Sequence, residues 1–446
     1  MSTTTADSFV KQSLVLKLDR LAEQLRGLAE SLPDDLDDLA AAEQQIREGV
    51  LEIGRQLLQS WSDVADAQAA TPECDACEEP MRHKGYVIGP LMTTLGPIRV
   101  RRPRFRCECC GLELYPHDQR LRFHKHSVSW PLAKVLGRLG AQLPFAQAQR
   151  SLEQDYHVHV SKSLLQTVCE EAGGRLLAAE DQERQRLQSL SVKEQLQALP
   201  DSEIMPEKAY VFADGTMIHA GGDWHEIRVA SVAAEDAQGN VLKRDHRARF
   251  LNCEDFGWQL LLLARRAGYH RAPLKAFIAD GAKWLWEMAE LKFPDAVQIL
   301  DWFHLSERVH ETAAAIYGQG TAEAAQFTQA RLEELWNSQS SQTIVALREL
   351  RKQLRSAGSR ESLRTLINYL ENNRRRIDYR RYRALGLKIG SGQVEGACKS
   401  LAGARCKQSG MRNWTKHGAE GVLRLRAALQ TGSYDALWPT KNRTAA

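Results

Sequence analysis

Two Cys-x-x-Cys pairs, Cys74/Cys77 and Cys107/Cys110, set the tightest constraint on how this chain can fold. Thiolates at this short spacing suit a tetrahedral zinc ion, and sharing one ion obliges the intervening chain to form a hairpin that returns the second pair to the first. Gly85, Gly89, Pro90, Gly96 and Pro97 punctuate that stretch into short strands. Cys109 lies within the second pair and could substitute for a neighbour, so ligand choice there stays open. Five of the nine cysteines fall between Cys74 and Cys110, and nothing marks secretion, so a structural Zn²⁺ is expected in place of disulfides. Arg99, Arg101, Arg102, Arg104 and Arg106 crowd the same segment, and Arg101, Arg102, Arg104 and Arg106 are candidate contacts to a phosphate backbone.

A chain of 446 residues exceeds what one core usually fills, which predicts two to four folded units. With 43% apolar and 26% charged residues it reads as soluble and globular. No stretch approaches the roughly 20 apolar residues that cross a bilayer, so the expectation is no membrane partner and a cytoplasmic, nucleoid-associated protein. The net charge of +4 is unevenly spread, with acidic residues dominating Asp34 to Asp38. A second basic run, Arg374 to Arg376 with Arg380, Arg381 and Arg383, reads either as a DNA-facing surface or as a solvated helix face.

Leu14, Leu18, Leu21, Leu25, Leu28 and Leu32 alternate steps of four and three until Pro33, and a second helical pattern runs from about Leu39 to Val64. Residues 1–70 are therefore a helical arm, either a hairpin folded on itself or an oligomerisation element. Residues 71–123 form the zinc ribbon. In 124–199, helices near Trp130 to Gln142, Phe145 to Tyr156 and Ser161 to Ala172 are compatible with a helix-turn-helix, although any three-helix bundle reads the same way. The last helix is expected to run on to Leu199, before a polar linker from Pro200 to Pro206.

Beyond the linker, three extended runs (Ala209 to Asp214, Glu226 to Ala233, and around Arg247 to Leu251) precede a helix from Asp255 to Ala267 and apolar strands at Leu274 to Ala279 and Ala296 to Leu300. That order is the order of an RNase H-like α/β core, with its first part at 207–305, a large helical insertion at 306–385 and its C-terminal part at 386–438. The fold class is thus multidomain α+β. Asp214 is read as ending the first strand, followed by Gly215, and Asp280 repeats the arrangement with Gly281. A carboxylate leaving a buried strand is well placed for a divalent metal, and the glycine lets phosphate or backbone approach. Asp301-Trp302-Phe303-His304 closes the fifth strand. Glu395 follows Gly390-Ser391-Gly392, where Ser391 can cap a helix whose dipole favours the anion.

Phe212-Ala-Asp214-Gly-Thr, Phe277-Ile-Ala-Asp280-Gly-Ala, Leu300-Asp301-Trp-Phe-His304 and Gly390-Ser-Gly-Gln-Val-Glu395 resemble the successive signatures of bacterial insertion-sequence transposases of the mutator-like DDE group, most closely the Kra branch. The tail Lys407-Gln-Ser-Gly410-Met411-Arg412-Asn-Trp414 with Leu423-Arg-Leu-Arg426 is similar to that branch as well. The resemblance implies that Asp214, Asp280 and Glu395 bind two catalytic metals, with Asp301 and His304 beside them and Lys407 and Arg412 among the DNA contacts. Hard oxygen ligands select Mg²⁺, with Mn²⁺ able to substitute. The implied activity is strand cleavage and strand transfer by a homo-oligomer on element ends and target DNA. The rivals are a nuclease of the same fold without joining activity and a catalytically inactive DNA-binding regulator.

Overall fold

The computed structural model describes residues 19–64, 71–123, 126–408, 411 and 413–438. The molecule is mixed α+β with two sheets, and the chain divides into two compact units. One comprises residues 1–169 with 434–446, the other 170–433. The division falls inside one helix, Lys162–Gln188, where no break in the sequence pattern marks it. No helix among the described residues is long and apolar enough to cross a membrane.

In the first unit, helices over 19–30 and Leu39–Val64 form the hairpin that Pro33 predicts. Gln24 donates to Gln56 at 2.9 Å, and Gly49 sits so close to Leu28 that a Cβ there would crowd its methyl groups. Leu14 and Leu18 lie outside the described residues. Strands β1 (Arg82–Thr93), β2 (Gly96–Arg106) and β3 (Glu113–Leu114) then form an antiparallel sheet in that order. The first two strands are longer than the glycines and prolines suggest. β1 is an edge strand, so Pro90 withholds no needed hydrogen bond, and Gly85, at φ +90°, sits in the register shift between His83 and Tyr86.

Three helices follow at Trp130–Gln142, Phe145–Tyr156 and Lys162–Gln188. Ser129 caps the first, while His157 in the left-handed region ends the second. The third stops at Gln188 and does not run on to Leu199. Ser191 starts a separate helix, Val192–Ala198, with a reciprocal capping box to Glu194.

The second unit is built on five strands: β4 (Lys208–Ala220), β5 (Asp223–Glu235), β6 (Val241–Arg249), β7 (Leu274–Ala279) and β8 (Val297–Leu300). Their order is β6-β5-β4-β7-β8, with β4, β5 and β6 antiparallel and β7 and β8 parallel to β4. Central β4 is buried continuously from Ala209 to Ala213, as a strand covered on both faces must be. Residues between β8 and the final elements form five helices from Trp302–Tyr317 to Tyr379–Ala384. Within this set Trp302 packs edge-on against both Trp336 and Tyr379 at 4.9 Å. The second basic run is partly structural here: Arg376 lies over Trp286 at 4.4 Å and Arg383 over Trp336 at 4.0 Å.

Candidate metal centre and carboxylate cluster

The ligand atoms of Cys74, Cys77, Cys107 and Cys110 all lie within 4.8 Å of one another. Cys109, exposed, is not among them. Both pairs close in the same way. Cys74 N–H donates to Glu79 and Cys107 N–H to Leu112, at 2.9 and 2.8 Å, while Glu78 and Gly111 donate back to Cys74 and Cys107 at 2.8 and 3.0 Å. Glu78 and Gly111 hold corresponding left-handed conformations, φ +57° and +76°. Backbone N–H groups of Cys110 and Cys109 hold the Cys107 thiol down to about 7, whereas the thiols of Cys110 and Cys109 push Cys77 up. The cluster could hold a structural metal such as zinc. We expect about one zinc per chain by metal analysis, lost in Cys77→Ser and kept in Cys109→Ser. Zinc-free protein with an intact ribbon would remove the assignment.

The arginines of β2 are less available than their sequence suggests. Arg102 spends its guanidinium on Asp118 at 2.7 and 2.9 Å, and Arg104 is paired with Glu113. Arg101 lies 3.7 Å over the Tyr86 ring. Arg101 and Arg106 are exposed, whereas Arg102 and Arg104 are half-buried and ion-paired.

In the second unit Asp214 does not end its strand. β4 continues through Gly215 to Ala220 and turns at Gly221 and Gly222 into β5, so Asp214 is paired opposite Val229 in mid-sheet. Gly215 pairs with Arg228, and a Cβ there would meet the end of the Glu226 side chain. Asp280 does follow its strand, β7, and accepts from Ala282 N–H at 3.0 Å. The space beside Gly281, at φ +103°, is filled by Tyr369 from the helix Ala357–Asn372, and this hydroxyl donates to the Asp280 carbonyl at 2.8 Å. The room that the sequence suggests for a phosphate beside Gly281 is therefore taken by a tyrosine, which sequence pattern alone cannot place there.

Glu395 lies in the helix Gly392–Ala397, which packs on β4 and β5. Ser391 does not cap it; its hydroxyl donates to Glu395 at 3.1 Å. Asp301 explains the exchange. Fully buried, it accepts from Phe303 and His304 N–H with one oxygen and from Ser391 N–H with the other. Its oxygens are thus committed to tying the start of the helix Trp302–Tyr317 to the start of the Glu395 helix.

One helical turn beyond Glu395, the Cys398 thiol hydrogen-bonds Asp214 at 3.6 Å. Burial, reinforced by the Asp214 charge, pushes that thiol up, so it stays protonated as the donor. Burial also raises the Asp214 carboxyl; the Asp280 charge adds to this, while Gly215 N–H and His304 oppose it. Lys407 donates to Thr216, two residues past Asp214, at 2.6 Å. Residues 398–403 form a π-helical turn between Cys398 and Lys407, a local widening often found at functional sites. Arg412 lies outside the described residues.

Among the described residues the four cysteines are the one group of three or more His, Cys, Asp or Glu side chains placed to hold a metal ion, and Asp214, Asp280 and Glu395 are not gathered in this way. The Asp280 charge, by adding to the rise at Asp214, marks a place where positive charge is favoured. Compared with known proteins, the chain matches no family model and no curated protein.

Proposed function

We propose that the chain is a DDE transposase with an RNase H-like catalytic core that cleaves and joins DNA at the ends of an insertion sequence. The observation that carries this reading is that Asp214, on the central strand, lies near enough to Asp280, at the end of the adjacent parallel strand, to be raised by its charge, while the helix that bears Glu395 packs on the same central strand. Strand order β6-β5-β4-β7-β8 supports the fold, and the three helices after the ribbon support a helix-turn-helix for end recognition.

The donor set fits Mg²⁺ or Mn²⁺: hard carboxylate oxygens, each carboxylate spending few hydrogen bonds on the protein. Two such ions, when bound, activate an oxygen nucleophile and stabilise the leaving 3′ oxygen. The protein's part is to hold the ligands. Cys398 and Gly215 fix Asp214, Tyr369 fixes the Asp280 backbone, and Ser391, positioned by Asp301, fixes Glu395. Lys407 and the exposed Arg101 and Arg106 supply positive charge for phosphate, in a nucleoid-associated protein that acts as a homo-oligomer on element ends and target.

The test is incubation with Mg²⁺ and DNA carrying the ends of the flanking element, followed by mapping of cut and joined strands. Joined product is expected. Cutting without joining would make the protein a nuclease, and end binding without cutting, unchanged in Asp214→Asn, would make it a regulator.

A further inference from the structure

A cavity of about 800 Å³ opens between the sheet and the Glu395 helix, within the range of about 300–1,000 Å³ typical of small-ligand sites. Gly392, Gly396 and Ala397 present one face of that helix to it, while Glu395 and Cys398 belong to another face. The opposing wall comprises Phe212 on β4 with Arg244 and His246 on β6, and Phe303 and Lys388 stand at the rim.

Three features of this lining are unusual together. Phe303 is 64% exposed, although its ring lies along Gly390, where a Cβ would come within 2.7 Å. An aromatic ring is thus held against backbone on one side and left open on the other. His246 is only 7% exposed, and its Nδ1 has no hydrogen-bond partner. Burial pushes its imidazole down to about 4, with Asp245 opposing and Arg244 and Arg247 assisting, so at neutral pH it is an uncharged, inward-buried part of the wall. Arg244 is exposed, and Lys388 is held at the rim by Glu235.

We propose that this cavity binds an unpaired nucleotide, its base stacked on Phe303 and its phosphate against Arg244 and Lys388. A stacking platform next to cationic side chains is the combination by which proteins take single-stranded nucleotides without needing a sequence. The nucleotide comes either from an unpaired DNA strand or from free mononucleotide. The DNA source rests on the function proposed above; the chemistry of the cavity does not.

The test uses the full-length protein with a short single-stranded oligonucleotide carrying one 2-aminopurine, read by fluorescence quenching, and with AMP as competitor. Gly396→Leu is the decisive variant. Nothing lies within 4 Å of a Cβ at Gly396, so the new side chain enters open space and removes no existing contact. Gly396→Leu and Phe303→Leu are each expected to weaken quenching by about tenfold. Persistence of the wild-type signal in excess AMP identifies a DNA strand as the occupant, and displacement by AMP identifies a free nucleotide. Absent quenching in the wild type, or wild-type affinity in Gly396→Leu, overturns the proposal. Asp214→Asn protein, whose change lies outside the cavity lining, should quench normally. Normal quenching without any cleavage of element ends would then sink the transposase reading alone, and cleavage with Gly396→Leu binding unchanged would sink the cavity alone.

Discussion

Asp280→Asn protein should bind element ends as the wild type does and leave them uncut, and Asp214→Asn and Glu395→Gln should behave alike. On the proposed function each replacement keeps shape but removes a charged metal ligand, with a loss of several kcal/mol of transition-state stabilisation, or about 10³-fold or more in cleavage rate. Asp301→Asn should differ in kind. Its carboxylate accepts three backbone N–H groups in a fully buried place, and an amide would turn an N–H₂ toward at least one of them. Its expected signature is a lowered melting temperature, with measurable residual cleavage in Mn²⁺. Gel mapping of cleavage alongside thermal melts separates the two classes. A dead but stable Asp301→Asn beside an active Asp280→Asn would require the triad to be redrawn.

Glu180→Ala should be among the most destabilising single changes in the second unit. Glu180 is half-buried, its side chain 13% exposed, and accepts from Arg424 Nε at 2.8 Å, Arg247 Nε at 3.1 Å and Gln259 at 2.7 Å, linking the helix Lys162–Gln188 to β6 and to the C-terminal helix Lys416–Gln430. Arg247 has a second carboxylate, Asp245, at 2.7 Å, whereas Glu180 is the carboxylate that Arg424 hydrogen-bonds. Accordingly Arg247 keeps its proton more tightly than usual despite burial, while burial and the Arg247 charge leave Arg424 below its ordinary value. Removing one partner of a buried charge cluster costs roughly 3–5 kcal/mol, a fall of roughly 10 °C in a unit of this size. Burial alone would raise the Glu180 carboxyl, but Arg247 and Arg424 outweigh it and hold it at about 2. A depressed carboxyl contributes stability that is complete above the unfolded value near 4.5 and is lost as pH falls toward about 2. Melting temperature should therefore drop more steeply across that window in the wild type than in Glu180→Gln. Parallel profiles for the two proteins would show that the cluster carries no such linkage.

Local patterns in the sequence mark out much of this architecture. The apolar run Leu274–Ala279 and the helical periodicity of Leu39–Val64 coincide with their elements, and the Cys-x-x-Cys spacing brings its four thiols together. What stayed hidden is non-local. Asp-Gly usually marks a turn, yet β4 runs straight through Asp214-Gly215 because its pairing with β5 continues unbroken to Ala220. Tyr369 and Cys398 reach the carboxylates from elements whose own periodicity records only which face is apolar. The Glu180 cluster joins residues up to 244 positions apart, and no windowed pattern encodes such a pairing. Gly173 and Gly421 are a further case: a Cβ on the former would overlap the carbonyl of the latter, so their helices touch backbone to backbone where the sequence shows two ordinary glycines.

The π-helical turn at 398–403 makes chain length, as well as residue identity, a condition of the site. In an α-helix, each residue removed rotates everything beyond it by about 100°. At the first residue of the turn, Cys398 faces Asp214; after it, Lys407 reaches Thr216, and Ser400 within it accepts from Arg426 at 2.7 Å. Deleting one residue there would restore ordinary helical phase and swing Lys407 away from the strand that Cys398 still faced. Between Glu395 and Lys407 the protein can therefore exchange side chains more freely than it can gain or lose a residue.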